Sequence, residues 1–432
     1  MSAYSGANTS NEFSTDECKR VMDEIAQVNP EALLILTGGE PLVRRDIFDL
    51  ASYASDTGFT VVLGTNGVLL RETEARRMRQ SGIQGASISL DSVVPERHDA
   101  FRRLPGSWQN AVRATQILNA EGLDFSIHTS ITTWNVDEMP AMIDLARELG
   151  ARVLNFFFLV RTGRGADLTD IEPDQYENLL TMIARAQGVG TPSIVASAPD
   201  AEPVGQEDPW SVPAGRAGEM IIRAKCAPHL RRIIYELAPD SPLLQNYAQG
   251  SCPAGKHYCR ITPTGEVTPC PYMPVSAGNL REQSFGDIWY GAKPMQALRE
   301  PRLGGRCGSC EFARICGGCR CRAYATYGDY LAEDPACAYQ PGQYGGQLIS
   351  LAAEQTFGFD PQFTLSWSEA AQARLKRLPS FARGMVAKGV ERYATERGIR
   401  VITPEVMQDV RARAEERFGH RFSFRTFFRE RT

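Results

Sequence analysis

Residues 32–41 read Ala-Leu-Leu-Ile-Leu-Thr-Gly-Gly-Glu-Pro: an unbroken apolar run that stops on two glycines and a carboxylate. Such a short continuous run is the pattern of a strand buried in a parallel sheet. Its abrupt end places a polar loop at the carboxyl edge of that strand, where parallel α/β folds build their sites. Upstream, Ser14 and Glu17 form a capping box for a helix carrying Val21, Met22, Ile25 and Val28 on one face. Downstream the alternation repeats. A helix over 45–57 precedes a strand over Thr60–Leu63 that ends in Gly64-Thr-Asn-Gly67, and a helix over 70–81 precedes Gly85–Leu90, which ends in Asp91. A helix over 107–121, a strand over Phe125–Thr132, a helix over 136–149 and a strand over Arg152–Val160 follow, the last ending in Arg161-Thr-Gly-Arg-Gly165. This alternation predicts a parallel α/β sheet or barrel. Gly38, Gly39, Glu40, Asn66, Ser89, Asp91, Asn135, Arg161 and Arg164 all fall at or just beyond strand ends. Turn chemistry alone accounts for any one of them; the series along successive strands points to a ligand site.

The 432-residue chain has room for about three domains. Its formal charge of −4 gives no general attraction to phosphate backbones or anionic membranes, so a nucleic-acid partner is not expected. The longest apolar run, Val153–Val160, is strand-sized, and the first ten residues lack a signal-peptide pattern. A cytoplasmic protein with no membrane partner is the expectation.

Cys18 lies alone in the first helix, whereas the other cysteines crowd between Cys226 and Cys337. Cys252-x6-Cys259 leads into a hairpin, Ile261 to Cys270, with its turn at Thr264-Gly265; Cys307-x2-Cys310-x5-Cys316-x2-Cys319, Cys321 and Cys337 follow. In a reducing compartment such spacing reads as metal ligation rather than disulfides. Four-cysteine sites suit both zinc and iron–sulfur clusters. Cys226, beside Pro228 and His229, is either a small buried residue or a substrate-facing, catalytic thiol.

Residues 188–218 shift to Pro, Ala, Gly and Asp, a loop or linker. The expected boundaries are a partial barrel over 1–195, a linker over 196–217, a cysteine-rich domain over 218–345 that begins with a strand at Met220–Lys225, and a helical domain over 346–432. In the last, Ser366-x-x-Glu369 reads as a capping box opening Trp367–Arg377. Phe381–Arg397 forms a second helix, Thr403-Pro404-Glu405 caps a third, and Arg417–Thr432 interleaves Arg with Phe.

Thr37-Gly-Gly-Glu-Pro41, Thr65-Asn-Gly67, Ser87-Ile-Ser-Leu-Asp91 and Thr162-Gly-Arg-Gly165, in that order, resemble the core of the radical S-adenosylmethionine enzymes. The resemblance implies that Gly38, Gly39 and Glu40 hold the amino group of S-adenosylmethionine and that Ser89 and Asp91 meet its ribose. Asn135 and Arg161 would lie near its carboxylate and adenine, with Asn66 on the same edge. The family's Cys-x3-Cys-x2-Cys loop, which precedes a segment like Tyr4-Ser-Gly-Ala-Asn8, does not occur in the sequence. The fold expected is therefore a partial (β/α)6 barrel lacking its first strand, with the core [4Fe–4S] cluster present only in a longer, intact form; a start inside a longer reading frame is the expectation.

The cysteine pattern resembles the SPASM domain, which implies two auxiliary [4Fe–4S] clusters. Cys252, Cys259, Cys270 and Cys319 would hold the first, and Cys307, Cys310, Cys316 and Cys337 the second, with Cys321 competing with Cys319. Trp367-Ser-Glu-Ala, Leu378-Pro-Ser-Phe-Ala-Arg383, Glu391-x-Tyr-Ala394 and Ile402-Thr-Pro-Glu-Val406 resemble the small C-terminal domain of the B subunit of light-independent protochlorophyllide reductase. Together the resemblances imply an oxidoreductase that modifies a tetrapyrrole side chain, for example by oxidative decarboxylation of a haem precursor, with ferredoxin or flavodoxin as electron donor. A peptide or protein maturase, and a non-catalytic iron–sulfur electron-transfer or scaffold protein, are the alternatives.

Overall fold

Six parallel strands follow one another across a single sheet in chain order: β1 (Leu33–Leu36), β2 (Thr60–Thr65), β3 (Ile83–Ser89), β4 (Asp124–Ile131), β5 (Val153–Phe158) and β6 (Ile221–Lys225). The computed structural model describes residues 11–30, 32–189, 220–245, 252–351, 363–376 and, with short gaps, 386–418. The chain divides into two compact units, Met1–Thr191 with Glu219–Ala353, and Pro192–Gly218 with Glu354–Thr432.

Side chains alternate across each strand, and the two faces of the sheet differ in kind. Val61, Leu63, Ile88, Ile127, Leu154 and Phe156 have no exposed surface and pack into the main core. That core is completed by α1 (Thr15–Val28), α2 (Ile47–Thr57), α3 (Glu72–Gln80), α5 (Ser107–Ala120), α6 (Met139–Glu148) and α7 (Pro173–Ala186). The inner face carries Leu33 and Ile35, both exposed, and half-buried Ser87, Ser89, Ser126, His128, Phe157, Arg223 and Lys225. The parallel register aligns Ser89 with His128, His128 with Asn155, and Asn155 with Arg223. One side of this sheet is a core; the other is a partly open polar wall.

Two elements depart from the sequence reading. The strand expected to begin the cysteine-rich domain pairs with β5 from Val153↔Ile221 to Phe157↔Lys225, so Ile221–Lys225 belongs to the barrel sheet, and the segment from Glu219 to Ala353 falls in the same compact unit as the barrel. An additional helix, α4 (Pro95–Arg102), follows β3. Its residues Pro-Glu-Arg-His-Asp-Ala-Phe-Arg bury only His98 and so carry no apolar stripe to read. Asp99 at its end accepts from the Gly106, Ser107 and Trp108 amide or hydroxyl donors and thereby starts α5.

After α8 (His229–Leu237), the short strands β7 (Arg260–Ile261), β8 (Glu266–Thr268) and β9 (Gly278–Asn279) form an antiparallel sheet. Gly265, at φ +90°, makes the β7–β8 turn, where an added Cβ would meet Phe13 at 2.6 Å.

In the second unit, Ser366–Trp367 pairs in parallel with Val401–Ile402, a two-stranded addition to the helices expected there. The cap accordingly sits two residues later: Ser368 Oγ accepts from the Ala371 amide at 3.2 Å, ahead of helix Glu369–Lys376. Trp367, Ala371, Leu375, Val390, Ala394 and Ile402 form its core. Phe381, Met385 and the Arg/Phe tail beyond Phe418 lie outside the described residues.

Candidate functional site

At the first strand end, Glu40 ties two loops together. Its Oε1 accepts from Thr65 Oγ1 at 2.7 Å and from the Leu42 amide at 3.2 Å, and its Oε2 accepts from the Asn66 amide at 2.8 Å. Asn66 Oδ1 then accepts from the Val68 amide at 2.9 Å, fixing the next turn. Gly38 (φ +153°) and Gly39 have nothing within 4 Å of where a Cβ would stand, so their backbone faces open space. Glycines at an open strand end leave room for a ligand to approach the main chain closely.

Asp91 and Asn135, expected from the sequence to meet ribose and carboxylate, instead have no exposed surface. Asp91 Oδ2 accepts from Arg102 Nε at 2.6 Å and Nη2 at 2.5 Å, and Oδ1 from the Ser130 amide at 2.8 Å. Asn135 Nδ2 donates to the Asp91 and Ser130 carbonyls at 2.7 and 2.9 Å, and its Oδ1 accepts from the Thr132 amide at 3.0 Å. Both residues brace the loops after β3 and β4 from behind. Burial alone would raise the Asp91 carboxyl; the Arg102 guanidinium holds it below the usual carboxylate range. Arg161 is exposed and donates to its own loop, at Ala166 O, from Nε and Nη2 at 3.3 and 3.0 Å. Nothing is described of the Arg164 side chain.

Besides the strand ends, the inner wall carries its own polar set. Ser126 Oγ donates to Ser87 Oγ at 3.0 Å and lies 3.1 Å from His128 Nε2, whose ring stands 4.9 Å from that of Phe157. Burial, with Lys225 repelling a second charge, lowers His128 to about 3, so its imidazole is neutral. The signal was present in the alternation Asp-Phe-Ser-Ile-His-Thr-Ser-Ile of β4, which puts Ser126, His128 and Ser130 on one side.

At the end of β6 the wall meets sulfur. Cys226 has φ +59°, a left-handed backbone that is costly for a residue with a Cβ. The thiols of Cys226, Cys252, Cys270, Cys319 and Cys321 face one another. Cys319 lies well below the ordinary thiol range because Cys226, Cys252 and Cys321 turn towards it; interaction with Cys319, then burial, push Cys226 up. Cys259, which the resemblance groups with these, packs against the main core as Cys226 does and has Arg299 as its charged neighbour, and Tyr258 beside it feels Cys259, Cys270 and Cys226 together. Cys18 is half-buried on α1.

The remaining four cysteines form a second neighbourhood. Cys337 acts electrostatically on Cys307, Cys310 and Cys316. Amides of Asp334, Phe312 and Gly318 point at the sulfurs of Cys307, Cys310 and Cys316 at 3.5, 3.4 and 3.5 Å. Burial opposes ionisation of Cys337, but His229 beside it holds the thiol low. Among the described residues, no three His, Cys, Asp or Glu side chains stand close enough to hold a single metal ion. An iron–sulfur cluster takes its four thiolates on separate irons, so its ligands stand further apart, and the donor chemistry of both groups fits such a cluster. Among the described residues, the barrel's strand-end face offers no cysteine set that fits a core cluster.

Residues 2–146 match the model of the radical SAM superfamily, 252–311 that of an iron–sulfur cluster-binding domain (SPASM), and 367–411 that of the protochlorophyllide reductase 57 kD subunit. The AdoMet-dependent heme synthase of Methanosarcina barkeri is 37% identical over 78% of this chain and 92% of its own. The chain belongs to the radical SAM family. It is an oxidoreductase-like enzyme of the branch that carries a SPASM domain. The mycofactocin maturase of Mycolicibacterium smegmatis is 31% identical over 77% of each chain. Streptococcus suis SuiB bound to S-adenosylmethionine shares the fold, with TM-score 0.54 and 15% identity over 75% of this chain and 70% of that one. Among the described residues no helix is long and apolar enough to cross a membrane.

Proposed function

We propose that this radical SAM enzyme modifies a side chain of a tetrapyrrole, with two auxiliary [4Fe–4S] clusters beside the substrate. The carrying observation is that β6 runs straight into the five-thiol group: Lys225 lines the inner wall, and the next residue, Cys226, faces Cys319. A molecule lying on the wall thus reaches the edge of an electron-handling centre. The 37% identity to a heme synthase, and the match of 367–411 to a protochlorophyllide reductase subunit, favour a tetrapyrrole over a peptide.

In this reading Cys252, Cys259, Cys270 and Cys319 hold the first cluster, with Cys321 competing with Cys319 and Cys226 at its edge, and Cys307, Cys310, Cys316 and Cys337 hold the second. When bound, such clusters take up and pass on single electrons. Gly38 and Gly39 present backbone acceptors to the ammonium of S-adenosylmethionine, with Glu40 holding their loop against Thr65 and Asn66. Ser89 and Arg161 flank that face, while Asp91 and Asn135 fix the loops that shape it. Neutral His128, hydrogen-bonded into the Ser126–Ser87 pair, offers the wall a proton acceptor without charge. A small redox protein such as ferredoxin or flavodoxin is the electron donor that this chemistry calls for.

Equilibrium binding tests the substrate class. The anaerobically reconstituted protein is expected to bind an iron porphyrin carrying free carboxylates and to ignore a short acidic peptide of the same charge. Binding of the peptide and not the porphyrin would transfer the reading to a peptide maturase.

A further inference from the structure

On β6 the alternation turns Ile222 towards the core and sets Arg223 and Lys225 on the inner wall, in register with Asn155 and Phe157. Two residues apart on one strand, their Cα atoms are separated by roughly 7 Å. Neither side chain has a carboxylate partner among the described residues. By contrast, Arg322 lies 3.0 Å from Asp334, Arg102 is held by Asp91, and Arg232 is held by Glu177 and Glu236. Arg223 Nε and the facing Asn155 Oδ1 are both buried without a hydrogen-bond partner. Among the described residues, the rest of the wall, Ser87, Ser89, Ser126, His128 and Phe157, brings no carboxylate.

Two half-buried cations on one strand with no carboxylate beside them among the described residues favour an anion that joins them. Phe157, paired with Lys225 on the adjacent strand, provides apolar surface on the same face, and Leu33 and Ile35 provide more at the opposite edge of the sheet. The ligand that suits both features is a flat apolar body bearing at least two carboxylates.

We propose that Arg223 and Lys225 are specificity-determining residues that each bind a propionate carboxylate of the tetrapyrrole and hold its edge against Cys226 and the five-thiol group. This inference rests on the tetrapyrrole reading above. A guanidinium is suited to grip one carboxylate through two donors, and the ammonium to meet the second as a point charge.

The test is anaerobic titration of the reconstituted full chain with iron coproporphyrin III and with its tetramethyl ester, followed by haem absorbance. Wild-type, Arg223→Gln, Lys225→Gln, the double variant and the charge-keeping Arg223→Lys are compared, with iron content and thermal melting checking the fold. Each single loss of charge is expected to weaken the acid porphyrin about tenfold and the double variant about a hundredfold, while Arg223→Lys recovers most of the loss. The ester is expected to bind weakly and equally to all variants. If folded variants bind the acid porphyrin as tightly as wild-type, this inference is overturned and the tetrapyrrole reading stands. If wild-type binds neither porphyrin, both are overturned.

Discussion

Arg322 Nη2 donates a 3.0 Å hydrogen bond to the carbonyl of Cys226, linking the cysteine-rich segment to the end of the last barrel strand. The same guanidinium reaches Leu159 O after β5 at 3.2 and 3.3 Å, pairs with Asp334, and lies 4.9 Å from the Tyr176 ring centroid. Asp334 in turn accepts from the Cys319 amide at 2.6 Å. One buried ion pair therefore fixes the ends of two barrel strands and a residue of the first thiol group. Replacing Arg322 with Gln leaves the buried Asp334 with only His229, 3.2 Å away, to balance it, and a loss of about 3 kcal/mol in chemical denaturation is expected. A loss below about 1 kcal/mol would show that the pair is not what joins the segments.

Asp91 makes a prediction about acid. Its folded pKa is lowered from 3.8, so its stabilising contribution is complete above that value and is lost as pH falls through the lower folded one. Stability measured by urea titration from pH 6 downward should fall steeply below about pH 4, with Asp91 contributing to the slope. Asp91→Asn should cost about 3 kcal/mol at neutral pH, because Arg102 loses its partner, and should flatten that acid limb. An acid limb as steep as wild-type would remove Asp91 from the account.

Gly39 separates ligand binding from folding. An added Cβ meets nothing within 4 Å and the position carries no positive φ, so Gly39→Ala should change stability by less than about 0.5 kcal/mol. Retention of labelled S-adenosylmethionine in equilibrium dialysis should nevertheless fall several-fold. Equal retention by the two proteins would mean that the open face at Gly38–Gly39 is not where the molecule lies.

The barrel was legible because continuous apolar strands and glycine-ended loops are local signals; Thr60–Leu63 and Phe125–Thr132 are found as β2 and β4 to within two residues. The sixth strand was legible as a strand, but its neighbour was not, since pairing with β5 is settled across the intervening residues 159–220. Asp91 and Asn135 drew attention as polar residues at strand ends, and nothing local distinguishes a ligand contact from a brace whose partners, Arg102 and Ser130, come from other elements. The same holds for sulfur. Spacing left Cys226 apart from the other cysteines, whereas tertiary packing brings it and Cys321 beside Cys319. Arg223 and Lys225 were hidden because a charged residue in a strand reads as solvent-facing until the sheet shows which side is enclosed.

Iron and acid-labile sulfide, counted per chain after anaerobic reconstitution, test most directly the claim that the cysteine-rich segment holds two electron-handling clusters. The account predicts about eight irons for the wild-type chain, and about four for each of Cys270→Ser and Cys316→Ser, one variant removing each cluster. A wild-type count of about four or fewer, or variants that keep the full complement, would contradict it.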